Sequence, residues 1–103
     1  MTDADKRQHK RVSYPCEVEC TGAGANPLNP RISDLSSSGA FIDSMFPVPV
    51  GTRFAVGFAL PSGPIQLTAE VVHSMEHFGM GVRFLDVTIE QRARLEEAVQ
   101  SRD

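Results

Sequence analysis

Apolar residues recur at every second position through most of this chain, and that period is compatible with strands and little else. Phe54, Val56, Phe58 and Leu60 alternate with Arg53, Ala55, Gly57 and Ala59; Ile65, Leu67, Ala69 and Val71 alternate with Gln66, Thr68 and Glu70; Met80, Val82 and Phe84 alternate with Gly79, Gly81 and Arg83. A period of two sends successive side chains to opposite faces of a sheet, so each run reads as a half-buried strand. Tyr14, Cys16, Val18 and Cys20 define a first strand over 14–20, and Arg31–Leu35 and Ala40–Ser44 flank a tight turn at Ser36–Gly39. Pro61-Ser62-Gly63-Pro64 and Glu76–Phe78 supply further turns, and the Gly- and Pro-punctuated stretch 21–30 reads as an exposed loop.

After Asp86 the period changes. Thr88 with Gln91 three residues on forms a capping box, and Leu95, Ala98 and Val99 make a narrow apolar stripe on a helix over 88–101. At 103 residues the chain makes one domain with a single core. The expected fold is mainly all-β: a six-stranded antiparallel sheet over 12–86, closed into a barrel so that its edges are covered, with a C-terminal helix. Residues 1–11 carry no apolar periodicity and read as a flexible basic arm.

The formal net charge of −3 argues against binding a nucleic-acid polymer, since such domains carry an excess of Lys and Arg. Charge is unevenly placed, however: Lys6, Arg7, Lys10 and Arg11 concentrate four of the ten basic residues in the arm. A mildly acidic body with one local anion-attracting segment favours a small anionic ligand. No apolar run approaches the ~20 residues needed to span a bilayer, and the start of the chain lacks a signal-peptide apolar stretch, so cytoplasmic residence without membrane insertion is expected. Cys16 and Cys20 would lie roughly 13 Å apart along a strand, beyond disulfide reach, and are expected to be buried reduced thiols with no metal role.

Two clusters carry chemistry: Arg7-x-x-x-Arg11 and Asp34-x-Ser36-x-x-Gly39. Arginine's planar fork pairs with phosphate oxygens, bonds guanine O6 and N7, or stacks on a purine face. In an extended arm Arg7 and Arg11 point to the same side, about 13 Å apart, and could clasp a compact ligand. A carboxylate at Asp34 matches the adjacent N1–H and amine donors of guanine, which adenine does not offer; Ser36 can donate to phosphate or a base edge; Gly39 removes a side chain from the turn. Asp34 and Ser36 have an alternative use in satisfying turn backbone groups.

These two motifs in this order, with Ala69-Glu70-Val71-Val72-His73-Ser74 and Gly79-Met80-Gly81-Val82-Arg83-Phe84 leading to the helix, resemble the PilZ family of bacterial cyclic di-GMP receptors. The resemblance covers Lys6 to about Val99 and implies a six-stranded antiparallel β-barrel with a helix after the last strand, in a single PilZ domain over 1–103. It implies that cyclic di-GMP is bound by Arg7, Arg11, Asp34, Ser36 and Gly39, with the arm becoming ordered over the ligand. Lys6 stands where the family's residue bears on whether one or two ligand molecules bind. His73 aligns with a position where some members place an aromatic residue near a guanine; being in phase with Val71, it reads equally as a barrel histidine unless a bulge at Val71-Val72 redirects it.

No nucleophile elbow, metal motif or other catalytic constellation is present, so the expected function is a receptor and not an enzyme, with no cofactor. With no catalytic or DNA-binding domain attached in this sequence, output is expected in trans, through an unidentified effector protein. A ligand-independent adaptor of the same fold is the alternative. Arg7→Ala, Arg11→Ala, Asp34→Ala and Ser36→Ala are each predicted to weaken cyclic di-GMP binding with the fold retained, which titration of the folded variants measures directly.

Overall fold

The computed structural model describes residues 10–22, 30–45 and 47–102. Among the described residues seven antiparallel strands and one helix run in the order β1 (Val12–Glu17), β2 (Glu19–Thr21), β3 (Arg31–Leu35), β4 (Gly39–Asp43), β5 (Arg53–Leu60), β6 (Gly63–Met75), β7 (Gly79–Leu85) and α1 (Ile89–Ser101). All strands belong to one sheet, in the order β1-β3-β4-β7-β6-β5-β2. β1 and β2 therefore form opposite edges of the sheet although only Val18 separates them in sequence. The sheet must curl until its edges meet at this one bent strand, which is how the expected barrel is achieved.

The expected single strand over 14–20 is thus two pieces, and the strand count becomes seven instead of six. Its first piece pairs with β3 from Val12↔Leu35 to Glu17↔Arg31, and its second with β5 from Glu19↔Gly57 to Thr21↔Ala55. The β1–β3 register shifts between Ser13 and Cys16, around Pro15. Proline has no N–H to give a ladder, so it is accommodated at an edge or bulge, and β1 is both.

Inside the curl, the alternation read from sequence is realised nearly residue for residue. Phe54, Val56, Phe58 and Leu60 of β5, Ile65, Leu67, Ala69 and Val71 of β6, and Met80, Val82 and Phe84 of β7 are all buried. They meet Val12 and Tyr14 from β1, Val18 at the bend, Ile32 and Leu35 from β3, and Ala40 and Ile42 from β4 in one cluster. The cysteines are half-buried and unpaired; burial pushes the Cys20 thiol up to about 11 and that of Cys16 upward, so neither is a ready thiolate at neutral pH.

Helix α1 joins the same core through Leu95, Ala98 and Val99. Its start is the capping box expected from sequence: Thr88 Oγ1 accepts from Gln91 N at 3.1 Å, and Gln91 Oε1 accepts from Thr88 N at 3.1 Å. The Gln91 amide also donates to the Gln66 carbonyl (3.0 Å), and Arg94 donates to Ser62 Oγ (2.8 Å) and the carbonyls of Gly63 (2.8 Å) and Pro64 (3.0 Å). These bonds fasten the helix to the β5–β6 turn. Just past its other end Arg102 lies 4.6 Å from the centroid of the Tyr14 ring, whose hydroxyl donates to the Ala59 carbonyl (3.0 Å), so the helix reaches the closing strand. Among the described residues no helix is long and apolar enough to cross a membrane.

Leu95 is fully buried. Leu95→Ala should lower the unfolding free energy by about 2–5 kcal/mol, the cost of lost transfer energy and a residual cavity, measured as a shift in the urea midpoint at unchanged slope.

Candidate functional site

The turn Ser36–Ser38 joins β3 to β4, and the Ser36 hydroxyl organises it. Its Oγ accepts from the backbone N–H of Gly39 (3.0 Å) and of Ser38 (3.2 Å), and lies within donating distance of the Gly39 carbonyl (3.2 Å) and Ser38 Oγ (3.3 Å). The Ser36 N–H donates to the Gly39 carbonyl at 2.8 Å, closing the turn. With 1% of its surface exposed, Ser36 is a built-in side-chain bridge of the kind serine supplies in tight turns. The turn-satisfying use of this serine is therefore realised.

Gly39 is buried as well, and its missing side chain matters for packing: a Cβ there would run into the Val82 carbonyl and sit 3.3 Å from the Arg83 Cα. Only glycine lets β7 come this close to the motif turn. The approach is held by Phe84 N donating to the Ser38 carbonyl at 2.9 Å, and it aligns Gly39 with Arg83.

Asp34 lies on the outer face of β3, where a register shift between Ile32 and Asp34 sets it opposite Phe41 of β4. Arg11, immediately before β1, reaches it: Nη1 donates to Oδ1 at 2.6 Å, with side chains 50% and 37% exposed. The ladder that pairs Val12 with Leu35 and Ser13 with Asp34 delivers the arginine to the carboxylate. The structure thus brings together one member of each motif, Arg11 and Asp34, from positions far apart in sequence. Exposed pairs of this kind add little to stability, so the contact is free to exchange partners.

His73 also belongs to this outer face. The β6–β7 register shifts between Val71 and His73, and the extra residue, Val72, turns His73 outward, where it is exposed and pairs with Gly81. The barrel-interior alternative for this histidine does not hold; the bulge is what redirects it. Following the ladders across strands, Ser13, Asp34, Phe41, Gly81 and His73 form one row. A neighbouring row runs through Gly39, Arg83, Glu70 and Arg53. In it Arg83 grips Glu70 with two bonds, Nε to Oε1 at 2.8 Å and Nη2 to Oε1 at 2.7 Å, and Arg53 Nε lies 3.7 Å from Oε2. The hydrogen bond from Arg83 holds the Glu70 carboxyl below the usual carboxylate range, with the charges of Arg83 and Arg53 adding to it.

Lys6 and Arg7 lie outside the described residues. Phe41, Arg83 and Glu70 were not singled out from sequence; the available signal was an aromatic residue in the outward phase of a strand, opposite a Gly-x-Gly strand that also carries an arginine in its outward phase. Among the described residues no three His, Cys, Asp or Glu side chains cluster as a metal site.

A small antiparallel barrel thus carries a serine-bridged turn and an arginine–carboxylate pair on its outer face. Residues 5–101 match the PilZ domain family, and the chain belongs to it. The fold is similar to the PilZ domain with c-di-GMP of YcgR from Escherichia coli, with a TM-score of 0.74 and 21% identity over 94% of this chain and 91% of that one. No curated protein matches the sequence.

Since Ser36 is buried and bonded to its own turn, Ser36→Ala should do more than weaken ligand binding. Losing the acceptor of two backbone donors is expected to destabilise the fold by about 1–3 kcal/mol, seen as a lower denaturation midpoint without ligand.

Proposed function

We propose that this protein is a cyclic di-GMP receptor that catalyses no reaction. The observation that carries the reading is the Arg11–Asp34 pair, which joins the two motifs on one outer face, beside a turn built by Ser36 and Gly39. Membership of the PilZ family supports it, as does the likeness to a domain described with c-di-GMP. In this reading the Arg11 guanidinium leaves Asp34 for a ligand phosphate or guanine, and the Asp34 carboxylate accepts from the N1–H and amine of a guanine instead. Arg7 supplies the second guanidinium. Ser36 and Gly39 hold the turn at the height from which Asp34 and Arg11 reach the ligand, and Ser36 can add a contact of its own.

Residues 1–11 close over the bound ligand, and the altered surface is read by a separate effector protein. His73, on the same face, borders the ligand, and Lys6 bears on whether one or two molecules bind. Ordering of a segment by an anionic ligand is a common switching device, because the ligand supplies the counter-charge that basic side chains lack alone.

Isothermal titration with cyclic di-GMP should give saturable binding that Arg11→Ala weakens by about 1.5–3 kcal/mol, with cyclic di-AMP bound far less tightly. Hydrogen exchange should show added protection within residues 1–11 on binding. A folded wild-type protein that ignores the ligand would refute the receptor reading and favour the ligand-independent adaptor; equal protection with and without ligand would refute the closing arm.

A further inference from the structure

The outer-face row contains one phenyl ring, that of Phe41, between Asp34 on β3 and Gly81 on β7. Its position over β7 is specific. A Cβ at Gly79 would come within 2.8 Å of the ring's Cε2, and one at Gly81 within 4.0 Å of its Cδ1. These two atoms sit diagonally opposite each other in the ring. Opposite atoms of the ring thus approach the two glycines, so the ring extends along β7 beside both. Phe41 is only partly buried. On the far side of Gly81 stands His73, whose Cβ is 3.4 Å from where a Gly81 side chain would begin. The result is a partly exposed phenyl ring on a row that carries a carboxylate residue, Asp34, on one side and an imidazole residue, His73, on the other.

We propose that the partly exposed ring of Phe41 is the stacking platform for one guanine of the ligand, beside Asp34, which reads the base's edge. This rests on the receptor reading above. The chemistry is general: a purine gains from an aromatic face, and its hydrogen-bonding edge then points sideways, in the plane where a cross-strand neighbour's carboxylate lies. Covering two strand glycines with a ring has a structural use in itself, since the ring supplies packing that glycine lacks. A ring needed only for cover would serve equally well as an aliphatic side chain, and that difference separates the two roles.

Two variants test it. Phe41→Leu keeps apolar cover over Gly79 and Gly81 but removes the π face, and should weaken cyclic di-GMP binding roughly five- to a hundredfold by titration. The chain contains no tryptophan, so Phe41→Trp places a sole indole on the platform, and its fluorescence should be quenched as cyclic di-GMP saturates the site. Ile89→Trp, at a 90% exposed helix position, is the control and should not respond. If wild type binds while Phe41→Leu binds equally well and the indole at position 41 is unquenched, the platform is overturned and the receptor reading stands. If wild type shows no binding, both fall. Should Phe41→Leu fail to fold, the fluorescence of Phe41→Trp decides alone.

Discussion

The fold depends on one strand serving both edges of one sheet. β1 and β2 are consecutive, yet the first hydrogen-bonds to β3 and the second to β5, at opposite ends of the strand order. An open sheet of this length would expose two rows of unpaired backbone groups, and here a single bend at Val18 removes that liability at both ends. The side chain at the bend is itself in the core. Everything the outer face presents is positioned by this closure, because curling is what fixes the registers that align β1, β3, β4, β7 and β6 across it.

Within that frame the motif residues divide into builders and presenters. Ser36 and Gly39 face the protein: one bonds its own turn, the other makes room for the Val82 carbonyl. Arg11 and Asp34 face outward and hold each other. This division follows from burial. A hydroxyl that is almost wholly enclosed must find protein partners, whereas exposed ions keep the hydration that lets them trade partners at low cost. The rigid Glu70–Arg83 pair lies between the two classes, an outward guanidinium whose direction is fixed from one side by a carboxylate.

Much of this was legible in the sequence because it is local. Period-two alternation placed the core residues of β5, β6 and β7, and Thr88 with Gln91 marked the helix start. The serine–glycine turn was visible for the same reason. What escaped depends on distant pairing: nothing in 14–20 announces that its halves bond to different strands, and nothing in Val71-Val72-His73 decides between a straight strand and a bulge. The strand count and the direction of His73 turned on those two points. Phe41 escaped differently. Its phase marks it as outward, and its meaning comes only from the glycines of β7 that lie beside its ring.

Arg11 immediately precedes Val12, the first residue of β1. The guanidinium that meets Asp34 is therefore a stitch at the end of the β1–β3 seam, and its ion pair reaches back diagonally across the last backbone rung, Val12↔Leu35, to the partner of Ser13. Whatever engages Arg11 pulls on that seam. A ligand held there would act as a clasp, raising the free energy needed to peel β1 from β3, and through the bend at Val18 the same clasp would be felt at the β2–β5 edge. Occupancy at the rim would then be reported throughout the barrel as slower opening, a mechanical signal that needs no displacement of the core.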